Sequence, residues 1–242
     1  MSTLKPLTLW GAGGPNPPKV AMTLNLLSLP YTKIPIPLSE VKNPKYTSLI
    51  NPNGRVPAIQ DPNTDTVLWE SGAIVEYLVE TYDKERKISF ERGTKEAWEA
   101  KQWVFFQVSG QGPYYGQASW FKTFHAEKLP SAIERYVKEI NRVTGVLDTH
   151  LSKQNDKYGK AGNGPWLVGD KLSYADVSFV MWQYLVTELP GFKGDVNMDE
   201  YPFAKDWLGR LLEVEGMKSV IESSMAAMHQ TSEWQGIDKY LP

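Results

Sequence analysis

The 242-residue chain contains no cysteine. Disulfides, thiolate metal sites and a protein thiol nucleophile are therefore outside the chemistry this chain can supply. No stretch approaches the roughly 20 apolar residues of a membrane span. The N-terminal MSTLKPLTLWGAGGPNPP has too short an apolar stretch for a signal peptide, so a cytoplasmic location is expected. No lysine- or arginine-rich run appears. The 26 basic residues face 28 acidic ones for a net charge of −2, which argues against a nucleic-acid footprint. Histidine is scarce. His125, His150 and His229 show neither ligand spacing nor a pattern of carboxylate partners, so no metal site is expected.

The length suggests one large domain or two smaller ones and allows a substantial core. Residues 6–83 alternate strand and helix signals. LTLWG (7–11) reads as a buried strand and GGPNPP as a turn. PKVAMTLNLLSL (18–29) reads as a helix with Val20, Leu24 and Leu27 on one face and Pro18 tolerated in its first turn. YTKIPIPL (31–38) is a strand that Pro35 and Pro37 confine to a sheet edge. A short helical turn is expected at 44–50. VPAIQ (56–60) and TVLW (66–69) flank the turn-forming DPNTD, and SGAIVEYLVETY (71–82) is helical. The order βαβ then ββα predicts an α/β domain with one four-stranded sheet covered by helices. A hairpin that opens at Val56-Pro57 and ends in Glu70-Ser71 at a helix start is a place to hold a ligand.

Beyond residue 92 the strand signals vanish and an all-α domain is predicted. TKEAWEAKQWVFFQ begins a long helix, and Gly110, Gly112 and Pro113 should kink it. Ile133, Val137, Ile140, Val143, Leu147 and Leu151 form a helical stripe over 130–152, and the glycine-rich 153–165 reads as a loop. LSYADVSFVMWQYL (172–185) is a helix with Ser173 and Asp176 as a capping box, which makes Asp176 a structural rather than a catalytic carboxylate. Two short helices follow at 202–213 and 217–228, and the tail TSEWQGIDKYLP is irregular. The domains expected are 1–85 and 92–242, joined near KERKISFERG (84–93).

RVPAI and WESGAIVEYL in a βαβ–ββα domain, followed by an all-helical domain carrying LVGDKLSYADVSF, resemble the glutathione S-transferases over nearly the whole chain. The stretch 102–125 and the turn GPNPPKV resemble the fungal branch that includes the yeast nitrogen-catabolite regulator, related to bacterial nu-type enzymes. The resemblance implies a thioredoxin-like first domain, a mixed sheet, a helical-bundle second domain, glutathione as co-substrate and a homodimer. It implies a cis Pro57, which lets Val56 offer its N–H and C=O to the cysteinyl backbone of glutathione like an added strand. It implies that Ser71, at a helix N-terminus, receives the γ-glutamyl carboxylate and that Glu70 takes the ammonium.

The glutathione thiol needs activation. Its ordinary pKa is near 8.5, and lowering it by about two units requires roughly 2.7 kcal/mol. A hydrogen bond to a charged group contributes about 1.5–3 kcal/mol, and a helix N-terminus about 0.3–1 kcal/mol. Relatives use Tyr, Ser or Cys there; this chain offers Asn16, at the position that is functional in the fungal branch, with the Lys19 main-chain N–H as a helper. An amide cannot act as a base, so it would stabilise the thiolate while the proton leaves to solvent. The glycyl carboxylate calls for a cation, for which Arg55 and Lys42 are candidates with Asn53 assisting. The electrophile pocket is expected between the domains, with Gln111, Tyr114, Tyr115 and Trp120 as lining and Phe105 and Phe106 in the core. The expected activity is conjugation to hydrophobic electrophiles, as in detoxification, or glutathione-dependent peroxide or disulfide reduction. The alternative is a non-catalytic glutathione-binding regulator or carrier.

Overall fold

The computed structural model describes residues 4–11, 14–159, 164–228 and 236–240. Its contacts divide the chain into two units, one drawn from Met1–Lys87 and Val214–Pro242, the other spanning Ile88–Glu213. In chain order the first unit holds β1 (Leu7–Trp10), α1 (Asn16–Leu26), β2 (Tyr31–Ile34), α2 (Pro44–Leu49), β3 (Ala58–Asp61), β4 (Thr66–Trp69) and α3 (Ser71–Tyr82). The second holds α4 (Lys95–Phe106), α5 (Gly112–Ser119), α6 (Pro130–Tyr158), α7 (Tyr174–Glu188) and α8 (Pro202–Leu212). Helix α9 (Lys218–Met228) belongs again to the first unit.

The sheet is mixed, in the order β2-β1-β3-β4. β1 runs parallel to β2, which needs the α1 crossover, and antiparallel to β3. β3 and β4 form the hairpin, with Ala58 opposite Trp69. The central strand β1 is apolar apart from the partly buried Thr8: Leu7, Leu9 and Trp10 are fully buried. The Trp10 ring meets Tyr46 of α2 edge-on at 5.7 Å, in a cluster that includes Ile34, Ile36, Val41 and Ile237. Helices α1 and α3 pack on each other and on the strands. The hairpin is tied to α3 through Asp61, whose carboxylate accepts from Tyr77 and Asn63 at 2.7 and 2.8 Å.

The C-terminal segment departs from the expected domain 92–242. Asn25 donates to the Gly216 carbonyl at 2.9 Å, Ile237 enters the Trp10 cluster, and Lys45 pairs with Asp238. These contacts carry the end of the chain into the first unit.

In the second unit α7 is central and nearly all buried, from Tyr174 through Val186. The capping box is present: Ser173 N–H and Oγ both reach Asp176 Oδ2 at 2.9 Å. The other carboxylate oxygen accepts from Leu167 N at 2.8 Å and Trp207 Nε1 at 2.9 Å. The kink expected at 110–113 takes the form of a π-helical turn over Gln107–Gln111, and a second follows at Trp120–Phe124. Pro113 has no N–H and its ring would strike the preceding turn of a regular helix, so the helix widens ahead of it.

Four boundaries differ most from the sequence reading. Strand β2 stops at Ile34 rather than running to residue 38, because Pro35 and Pro37 have no N–H to continue the ladder. Helix α1 starts at Asn16 and stops at Leu26, with the chain folding back through Leu29 N to Leu24 O at 2.9 Å. Helix α6 runs to Tyr158 rather than ending near 152. Its last polar turn is held by Gln154, which donates to the carbonyls of Trp166 and Leu167 at 3.1 and 3.2 Å. Helix α7 continues to Glu188.

Candidate functional site

The candidate site is built where β1, α1 and the β3 entry meet. Gly11 ends β1 with φ +132°, and a Cβ there would lie 2.8 Å from Pro17 Cγ and 3.0 Å from Val56 Cβ. Only glycine lets the three segments approach so closely. The Val56-Pro57 bond is cis. A cavity of about 180 Å³ opens here, lined by Asn16, Leu38, Val41, Arg55 and Val56 among others.

The start of α1 concentrates hydrogen-bond donation on one residue. An α-helix leaves its first four N–H groups unsatisfied. In α1 these positions are Pro15, Asn16, Pro17 and Pro18, and three of them have no N–H. Lys19 follows, and its N–H falls in the i→i−4 pattern opposite the Pro15 carbonyl. Asn16 combines a main-chain N–H and a side-chain amide at the cavity.

The hairpin delivers Glu70 and Ser71 to the start of α3. Glu70 caps the helix with φ 70° and ψ 111°, a left-handed backbone that a residue with a Cβ rarely adopts. Such backbone strain costs roughly 1–3 kcal/mol and persists where the surroundings over-determine it. Ser71 is buried, and the Ser71, Gly72 and Ala73 amides are open at the helix end. Beneath Ser71 lies a side chain that sequence reasoning missed, having weighed only the main chain of the same residue. Lys19 is 1% exposed and its Nζ donates to Ser71 Oγ at 3.0 Å. Burial pulls its pKa from 10.5 to about 7, with the Glu70 carboxylate acting in the opposite sense. A signal was available: Lys19 is the only charged residue in NPPKVAMTLNL. A lone charge on an otherwise apolar helix has to be buried with a partner or face outward.

Lys42 sits in the turn before α2, and Asn53 and Arg55 on the loop between α2 and β3. Lys42 Nζ donates to the Asn53 carbonyl at 2.9 Å. The Arg55 carbonyl accepts from Tyr46 OH and Asn51 Nδ2, both at 2.8 Å, so its main chain is fixed while its side chain is exposed.

The second unit separates the four expected lining residues. Gln111 and Tyr115 are fully buried, and they form the helical core rather than a pocket wall. Tyr115 OH lies 3.1 Å from Gln183 Oε1 and 3.2 Å from both Ile140 O and Thr144 Oγ1. Gln111 Nε2 donates to Phe179 O at 3.3 Å, and Gln107 Nε2 to Gln111 Oε1 at 3.1 Å. The π-helical turn rotates Gln111 inward, and periodicity in a regular helix does not foresee that. Tyr114 is half-buried and meets Tyr136 at 6.2 Å, while Trp120 is exposed and meets Phe124 at 6.0 Å. Phe106 packs on Trp103 and Phe179, but Phe105, expected in the core, is 70% exposed.

Among the described residues no three His, Cys, Asp or Glu side chains converge as a metal-binding group, and no helix is long and apolar enough to cross a membrane. His125 contacts the Glu127 main chain and His150 the Leu167 carbonyl. His229 lies outside the described residues.

Residues 14–81 match the family described as glutathione S-transferase, N-terminal domain, and residues 113–215 the C-terminal domain of the same family. The chain is 58% identical over 218 residues to the glutathione S-transferase-like protein tpcF of Aspergillus fumigatus, covering 90% of this chain and 96% of that one. It is 35% identical to the URE2 protein of Saccharomyces bayanus over 84% of this chain and 67% of that one. Among solved structures, the glutathione transferase URE2P6 of Phanerochaete chrysosporium, in complex with oxidised glutathione, matches with a TM-score of 0.84. It is 44% identical, with 92% of this chain and 98% of that one covered.

Proposed function

The chain belongs to the glutathione S-transferase family, and from that premise we propose that it binds glutathione and activates its thiol for transfer to a hydrophobic electrophile. The observation that carries this reading is the meeting of Asn16 and Val56 at one cavity of about 180 Å³. The cysteinyl main chain pairs with the Val56 N–H and C=O, which places the sulfur toward Asn16. The γ-glutamyl carboxylate meets Ser71 and the open amides of α3, and the ammonium meets Glu70. Arg55 and Lys42, with Asn53, serve the glycyl carboxylate.

Asn16 donates to the thiolate, and the thiol proton passes to solvent. The sulfur lone pair then forms the bond to the electrophilic carbon. The displaced group leaves with the electrons of the bond that breaks, or an addition product takes a proton from water. With no cysteine in the chain, peroxide or disulfide reduction would also run on the sulfur of glutathione, with a second glutathione completing the exchange. The aromatic side chains Tyr114 and Trp120 favour a flat, apolar co-substrate. A homodimer agrees with α4, where Trp98 and Phe105 are 65% and 70% exposed and, seven residues apart, share one face. A cytoplasmic location suits an activity that draws on reduced glutathione.

The test is an ultraviolet difference titration of bound glutathione thiolate against pH, in the wild type and in Asn16→Ala. Thiolate well below the free pKa, lost in the variant while binding persists, supports activation by Asn16. Bound glutathione that stays a thiol through neutral pH removes the basis for transfer and favours a glutathione-binding regulator or carrier, the reading that the URE2 relative also suggests.

A further inference from the structure

We propose that Lys19 is a positioning residue of the γ-glutamyl subsite: a buried amine beneath Ser71 that takes up a proton and becomes a cation when the ligand's carboxylate binds. The inference rests on the glutathione reading above and assigns a role to a residue outside its expected site.

The geometry carries the argument. An ammonium or amine N–H of Lys19 donates to Ser71 Oγ at 3.0 Å. With that oxygen accepting, the Ser71 hydroxyl proton is directed away from Lys19 and toward an incoming acceptor. The open amides of α3 point to the same side, and Lys19 adds a full charge behind them. Exclusion of water makes that charge costly in the empty site, since Lys19 is fully buried. Burial accordingly draws its pKa down to about 7. A carboxylate arriving on Ser71 brings a negative charge close to the amine and favours the ammonium.

The other ionisable groups do not offer an alternative. On the elements packed against α1, Glu70 is the charge that acts on Lys19. Glu76, Tyr77, Glu80 and Tyr82 belong to later turns of α3, Lys218 and Glu222 to α9, and β1 has no ionisable side chain. Among the protein's own groups Lys19 is thus the one placed to couple ligand binding to protons at pH 7; the ligand's ammonium, held by Glu70, titrates at higher pH.

The test is calorimetric titration of the full chain with S-methylglutathione, whose blocked sulfur cannot ionise, in buffers of different ionisation enthalpy. At pH 7 the wild type should take up roughly half a proton per site, and its affinity should fall as pH rises toward 9. Lys19→Met and Lys19→Gln should bind about tenfold more weakly at pH 6.5, with no proton uptake at pH 7 and a flat profile up to pH 7.5, leaving only the fall at higher pH that loss of the ligand's own ammonium imposes on its contact with Glu70. Wild-type binding without uptake, or uptake preserved in the folded variants, would overturn the role of Lys19 alone. Failure of the wild type to bind S-methylglutathione would overturn the glutathione reading itself.

Discussion

Replacing Lys19 by methionine should change how the stability of the free protein depends on pH. The side chain is fully buried, and its pKa falls from 10.5 to about 7 on folding. At about 1.36 kcal/mol per unit, the charged form is disfavoured in the folded protein by roughly 5 kcal/mol relative to the unfolded chain. The sign follows from proton counting. Between pH 7 and 10.5 the unfolded chain holds this proton and the folded chain releases it, so stability rises with pH. The penalty is absent above 10.5 and complete below about 7. From pH 7 to 9 the single-site linkage relation gives a gain of about 2 kcal/mol for the wild type. Methionine has nearly the same length and nothing to titrate. The stability of the variant relative to the wild type should therefore shrink by about 2 kcal/mol from pH 7 to pH 9. Urea unfolding of both proteins at half-unit pH steps measures this, and every other titrating group cancels in the difference. Parallel profiles would refute the assignment of a strongly depressed pKa to Lys19.

Glu70→Gly should relieve the backbone at φ 70°; we expect a stability gain of about 1 kcal/mol by thermal unfolding alongside a loss of glutathione affinity by calorimetry. Tyr115→Phe removes the hydroxyl between Gln183, Thr144 and Ile140. It should cost roughly 1–3 kcal/mol of stability and leave glutathione affinity within twofold, whereas a large change in electrophile KM alone would restore Tyr115 to a pocket. Asp176→Ala breaks the contacts to Ser173, Leu167 and Trp207. Chemical denaturation should show a loss of roughly 3 kcal/mol, with the thiolate pKa of bound glutathione unchanged in whatever fraction folds.

Local rules carry far in this chain. The alternation of TVLW, the turn residues of DPNTD and the apolar spacing of SGAIVEYLVETY predict β4 and α3 at their observed boundaries, because short-range sterics and periodicity set them. Pro35 and Pro37 mark β2 as an edge, and the sheet order agrees. The Ser173–Asp176 capping box is legible from spacing alone. The π-helical turns are not legible: the first answers Pro113 and the packing around it, and it decides that Gln111 points inward. Nor is the end of α6, where Gln154 is held by carbonyls twelve and thirteen residues away.

The site divides in the same way. The sequence by itself determined the donors and the ligand-facing hairpin, since the prolines that strip α1 of its N–H groups and the Val56-Pro57 and Glu70-Ser71 pairs are written in consecutive residues. Only the tertiary structure decided that Lys19 lies under Ser71, 52 positions away in the chain. Its altered proton affinity comes from exclusion of water by the packed helices, and desolvation is a property of the assembled fold, which no window of the sequence contains.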